Sequence, residues 1–148
     1  MNCKLLADYS LEELEELVEK YGQPKFRAKQ LFEWICRGEE FDGMKNIPRS
    51  LADALGGDGY YPQGVKIVRT LTSKKDGTLK FLYGLADGNV IEGVLMKYKY
   101  GNTLCVSTQV GCRMNCAFCA SGLDGLIRNL SAGEIVRQVI AVNRMTCA

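Results

Sequence analysis

The 148-residue chain has about one domain's length, and its 47% apolar content is enough to bury a real core. Three prolines, 16 glycines, 24% charged and 9% aromatic residues exclude disordered and collagen-like chains, and no apolar run nears the roughly 20 residues of a bilayer span. The net charge of +2 divides unevenly: residues 1–58 hold 8 basic and 12 acidic side chains and residues 59–148 hold 11 and 5, which suits either a polyanionic partner or a solvated lysine face.

Ser10 and Glu13 form a predicted capping box, followed at helical spacing by Leu11, Leu14, Leu17, Val18 and Tyr21, with Gly22 as the left-handed stop. Pro24 is expected as the first residue of a second helix, with Ala28, Leu31, Phe32 and Ile35 on its apolar side and Gly38 ending it. Trp34 and Phe32 share that spacing and read as core before base-stacking platforms. Pro48 opens a short third helix through Leu55, and the Gly56-Gly57-Asp58-Gly59 run reads as a linker.

From Val65 the apolar period becomes two. Strands are predicted over 65–72, 78–85, 90–97 and 103–109, separated by Lys75-Asp76-Gly77, Asp87-Gly88-Asn89 and Gly101-Asn102. Leu79, Phe81, Tyr83 and Leu85 should share one face, with Lys80 on the other. After a loop rich in Gly and Cys, Ser131 and Glu134 offer a second capping box for a last helix, whose apolar side is Ile135, Val136, Val139 and Ile140. Strand, loop and helix in that order open an α/β unit, so the fold class is α+β to α/β.

The chain has no histidine, which removes the most frequent general base and the usual zinc, copper and haem ligand and leaves acid–base work to carboxylates, lysines or tyrosines. Seven cysteines without a secretory signal point to metal or redox chemistry. Three of them, Cys112, Cys116 and Cys119, fall within eight residues directly after a predicted strand. Thiolates suit iron–sulfur clusters or zinc, and a short loop lets three converge on one centre. A structural zinc site wants four ligands, and no second cysteine pair is at hand: Cys105 should pack as a small apolar group and Cys147 is wrongly placed. A cubane cluster held by three thiolates leaves one iron open to a small molecule. Chance clustering of cysteines, and zinc, remain alternatives.

The C-x3-C-x2-C spacing with Phe118 before the last cysteine resembles the radical S-adenosylmethionine (SAM) superfamily. Its flanks, Cys105-Val106-Ser107-Thr108-Gln109-Val110-Gly111-Cys112 before it and Gly125-Leu126-Ile127-Arg128-Asn129-Leu130 after it, resemble the RlmN/Cfr family of RNA methyltransferases, as does the helical start from Tyr21 to Trp34. The resemblance implies a helical accessory domain at 1–58, a β-hairpin extension at 59–102, and at 103–148 the first strand–loop–helix unit of an incomplete (β/α) barrel. It implies a [4Fe–4S] cluster on Cys112, Cys116 and Cys119, SAM on the open iron, and Phe118 near that cofactor. The implied reaction methylates the C2 carbon of an adenine in 23S rRNA and in tRNA, with an electron donor such as a flavodoxin and a monomeric full-length enzyme in the cytoplasm.

Within that chemistry a base must remove the C2 proton. Glu92, twenty residues before Cys112, stands where the family has such a glutamate, and a partly buried carboxylate suits the task. Gly93 follows it where a threonine is common in the family. Lys25, Arg27, Lys29, Lys74, Lys75, Lys97 and Lys99 are candidate phosphate contacts. The SAM-binding remainder of the barrel and the methyl-carrying cysteine are absent from the sequence, so it reads as the N-terminal part of a longer enzyme, inactive alone. Methylation at C8, as in Cfr-type enzymes, and a non-catalytic RNA-binding or structural metal module are the alternatives.

Overall fold

Local signals account for the N-terminal helices. In the computed structural model, which describes residues 4–114 and 116–146 and so leaves Cys3 and Cys147 outside the described residues, α1 spans Leu11–Lys20. Ser10 Oγ accepts the Glu13 N–H at 3.2 Å, and the Glu13 carboxylate accepts the Ser10 N–H at 2.7 Å, so the predicted capping box is complete. Helix α2 spans Phe26–Arg37 and ends on Gly38 at φ 80°. Pro24 lies just ahead of it rather than at its first position, its carbonyl accepting the Arg27 N–H at 2.9 Å.

Ala28, Leu31 and Ile35 are buried, but Phe32 is exposed, contrary to expectation. Phe32 stands at the edge of the buried stripe, about 100° round the helix from Leu31 and about 40° from Ala28. Trp34 packs partly against the core and donates its indole N–H to the Asn46 side chain. Helix α3 spans Arg49–Gly57, so Gly56 and Gly57 are helical and the expected linker is not one. The chain instead enters strand β2 (Tyr60–Tyr61), which pairs in parallel with strand β1 (Lys4–Leu5). Leu6, Leu14, Val18, Leu31, Leu51 and Leu55 form the centre of this core.

The last helix, α4 (Ala132–Thr146), belongs to the same compact unit, residues 1–64 with 132–148. Its inward face mixes polar and apolar residues, which corrects the expected apolar side: Glu134, Arg137, Gln138 and Val142 are buried, Ile135 and Ile140 are half-buried, and Val136 and Val139 are exposed. Arg137 donates to the carbonyl of Ile35 and Arg144 to that of Gly38. These carbonyls lie at the C-terminal end of α2, where its negative dipole end points; that of Ile35 also accepts the Gly38 N–H at 3.0 Å, and a guanidinium complements the dipole there as a valine could not. Burial pushes the Arg137 pKa down to about 10, so it remains charged at neutral pH.

Residues 65–131 form the second unit. Strands β3 (Val65–Thr72), β4 (Leu79–Leu85), β5 (Val90–Tyr98) and β6 (Gly101–Cys105) make an antiparallel sheet in sequence order. Phe81, Tyr83 and Leu85 are buried on one face, as the alternation predicted, with Ile91 and Leu95 on the neighbouring strand. The predicted strand over 103–109 is two: β6 ends at Cys105, and β7 (Gln109–Gly111) pairs antiparallel with β8 (Leu126–Asn129). Cys105, at the end of an edge strand, is exposed rather than packed.

Gly93 has a structural reason for lacking a side chain. A Cβ there would stand 2.7 Å from the buried Tyr83 ring. No helix among the described residues is long and apolar enough to cross a membrane.

Candidate functional site: a cysteine loop beside an open cleft

Strands β7 and β8 close the base of the loop that carries the three cysteines. Gly111 makes the closure: at φ +75° it lies so near Gly125 that a Cβ would meet the Gly125 carbonyl oxygen at 2.0 Å. The Cys112 N–H donates to that same oxygen at 2.9 Å. Further along, the Cys119 N–H donates to the Cys116 carbonyl at 3.0 Å, a tight turn between the second and third thiols, and the Met114 N–H reaches Cys112 Sγ at 3.4 Å. All three cysteines are free.

The loop is tied to the sheet by Arg128 on β8, whose Nε and Nη2 each lie 2.7 Å from Asp87 Oδ2 in the β4–β5 turn. Partial burial opposes the charge of Asp87, but the Asn89 N–H and Arg128 hold its carboxyl below the usual range. Nothing in the sequence pattern pairs Arg128 with Asp87, because they lie 41 residues apart and meet only when the turn packs beside β8.

Donor chemistry and tether fit an iron–sulfur cluster: three free thiols, no disulfide among them, one loop closed at its base. Among the described residues, however, no three Cys, Asp or Glu side chains stand close enough to hold one ion. The sulfurs therefore share a loop without yet sharing a centre. Bare thiols do not attract one another, and gathering them draws on the binding energy of the centre itself.

Glu92 lies on β5, its side chain 53% exposed, with Oε1 2.8 Å from Lys80 Nζ. It is thus an ion-paired, half-exposed carboxylate rather than the partly buried one expected. The register explains the pair, since Leu82 faces Glu92 and Lys80 faces Val94, which makes Lys80 and Glu92 diagonal neighbours on the polar face. Alternation along both strands was the signal for it, once the turn length had set the register. Ser107 Oγ donates to the Glu92 carbonyl at 2.7 Å and holds β5 against the segment leading to β7.

Glu92, Ser107, Gln109, Gly111, Ser121 and Asp124 line one open cleft of about 640 Å³. The cleft therefore has the Glu92 strand on one wall and both ends of the cysteine loop on another. Phe118 projects from the loop into solvent, 93% exposed.

The candidate phosphate contacts divide. Arg27 is spent inside the helical unit, donating to Gln30 Oε1 at 2.8 Å and to the Asn46 carbonyl at 2.7 Å. Lys25 lies 4.0 Å from Glu15 and 3.8 Å from Glu19. Lys29, Lys74, Lys75, Lys97 and Lys99 are exposed.

Known proteins resemble the chain along almost all of its length. Residues 4–57 match the family described as the ribosomal RNA large subunit methyltransferase N-terminal domain. A "probable dual-specificity RNA methyltransferase RlmN" of Clostridium perfringens (strain SM101 / Type A) is 51% identical over 139 residues, 93% of this chain and 40% of that protein. The protein of the same name from Clostridium novyi (strain NT) is 47% identical over 146 residues, 97% of this chain and 42% of its own length. A radical SAM methyltransferase from Sphaerobacter thermophilus, known from its crystal structure, superposes with a TM-score of 0.83 at 41% identity, covering 97% of this chain and 42% of that one. The chain thus spans about two fifths of the length of the relatives it matches, and over that span it is similar to proteins named RlmN and to a radical SAM methyltransferase.

Proposed function

We propose that the chain is part of a cytoplasmic enzyme that methylates the C2 carbon of an adenine in 23S rRNA and in tRNA, with residues 1–58 as accessory domain, 59–102 as hairpin extension and 103–148 as the start of the catalytic core. The observation that carries this reading is the shared cleft, in which the Glu92 strand faces both ends of the cysteine loop. Cys112, Cys116 and Cys119 are the residues that would hold a [4Fe–4S] cluster, and bound there with SAM it would supply one-electron chemistry able to attack an electron-poor ring carbon.

The chain's own residues do the rest of the work proposed here. Gly111 and Arg128 hold the base of the loop, so that the thiols start from one place. Glu92 takes the C2 proton, and Lys80 together with the Ser107 hydroxyl fixes where it stands. Assignment to C2 rather than C8 rests on that glutamate, because a ring proton has to leave at C2. Phe118, exposed on the loop, would stand near the cofactor. The rest of the relatives' length supplies SAM binding and the methyl-carrying cysteine, so this span alone transfers no methyl group. A flavodoxin-type donor delivers the electron to a monomer.

Anaerobic reconstitution with iron and sulfide tests the proposal. Cys112→Ala, Cys116→Ala and Cys119→Ala should each abolish iron loading, whereas Cys3→Ala and Cys36→Ala should leave it intact. Equal loading in all five variants, or a colourless protein holding one zinc, would overturn it. A cluster spectrum that shifts when SAM is added supports the open iron site.

A further inference from the structure

The hairpin that joins β5 to β6 has an unusual tip. Tyr98 pairs with Gly101, so the turn itself is Lys99 and Tyr100, neither of them a turn-forming residue. Gly101, at φ +135°, supplies the backbone freedom that the turn needs. The tip is therefore chosen for its side chains. Tyr100 is 81% exposed and Tyr98 47% exposed, and their rings stack at a centroid distance of 5.0 Å with an interplanar angle of 9°. Tyr98 is further steadied by its hydroxyl, which donates to Met96 Sδ at 3.3 Å. Lys97 and Lys99 alternate with the two rings, are exposed, and have no ion pair among the described residues.

Two parallel rings locked against each other in water present a flat, rigid apolar face at little further entropic cost, and every nucleobase has a π-face to lay on it. Cations at one-residue spacing on either side match the phosphates that flank such a base. Duplex RNA keeps its bases stacked internally and offers no free face. We infer that this tip is a contact for single-stranded RNA, the stacked tyrosines taking an unpaired base and Lys97 and Lys99 its flanking phosphates. The inference rests on the reading of the chain as acting on RNA, and it adds where an unpaired stretch is held.

Fluorescence anisotropy on the chain, with a labelled oligouridine and a labelled RNA duplex as probes, tests it. Tyr98→Ala with Tyr100→Ala should weaken oligouridine binding about tenfold and leave duplex binding unchanged, while Phe at both positions retains wild-type affinity. Lys97→Gln with Lys99→Gln should shallow the salt dependence by roughly 1.4 in log–log slope, the value for two single-strand phosphates. The inference is overturned if the alanine pair binds oligouridine like wild type, if it loses duplex and single strand equally, or if the wild-type chain binds neither probe. Iron loading of the same samples separates the two failures: a chain that loads iron while its tyrosine variants bind normally loses only the hairpin contact. A chain that loads none yet still needs the tyrosines for oligouridine loses the methyltransferase reading and keeps the contact.

Discussion

The helical unit and the cysteine loop are opposite ways of spending side chains. In the first, Leu14, Leu31 and Leu55 are completely buried, α1 starts on a capping box, α2 ends on Gly38, and even the charged Arg137 has a carbonyl partner. In the loop, Met114, Phe118 and Leu123 stand out in solvent and the three thiols are free. The difference teaches that the helical unit is held by contacts already made, whereas the loop is held only at its base and its chemical groups await something to bind.

The sharpest way to break that comparison is to remove one side chain from each region. Leu31→Ala should cost about 2–5 kcal/mol in a denaturant titration, because it leaves a cavity in a closed core. Phe118→Ala should stay within about 0.5 kcal/mol, because the ring touches little that folding orders. Equal losses at the two positions would mean that the loop is packed after all.

A smaller effect is expected within the sheet. Gly93→Thr should cost about 1–3 kcal/mol, since its Cβ meets the Tyr83 ring, and trimming the ring with Tyr83→Leu should recover part of that loss. A Gly93→Thr protein as stable as wild type would show that the ring moves aside freely.

The smallest effect is one of pH. The Tyr83 hydroxyl is buried without a hydrogen-bond partner, and burial pushes its pKa up from 10.0 to about 12. Between those values the unfolded chain releases the proton while the folded one keeps it, so stability falls as pH rises through the window. Tyr83→Phe should flatten that part of the stability curve. Near neutral pH it should be neutral or slightly stabilising, because it removes an unsatisfied buried group. An unchanged alkaline slope would assign the loss elsewhere, Tyr21 being the next candidate, since burial and its bond to Asp58 also push it up to about 12.

Much of this was legible in the sequence where neighbours along the chain decide the outcome. The capping box at Ser10, the glycine stops at Gly22 and Gly38, the strands over 65–98 with their Gly77 and Gly88 turns, and the grouping of three cysteines in one loop all depend on residues a few positions apart. The readings that needed correction involve partners far away. Phe32 and Trp34 have the same helical spacing to a reader of the sequence, yet only Trp34 finds Asn46. Val136 and Val139 promised an apolar face for α4, but that helix turns Arg137 inward because Ile35, 102 residues earlier, offers a carbonyl at the end of α2.

By itself, then, the sequence determined the helices, the hairpins and the chemical type of the loop, since capping, periodicity and thiol spacing act over one or two turns of chain. Only the tertiary structure decided which face of α4 goes inside, that Arg128 ties β8 to the Asp87 turn, and that Glu92 and the cysteine loop line one cleft. Those outcomes depend on which unsatisfied carbonyl, charge or empty volume a distant segment presents, and the pattern of any one segment carries no record of that.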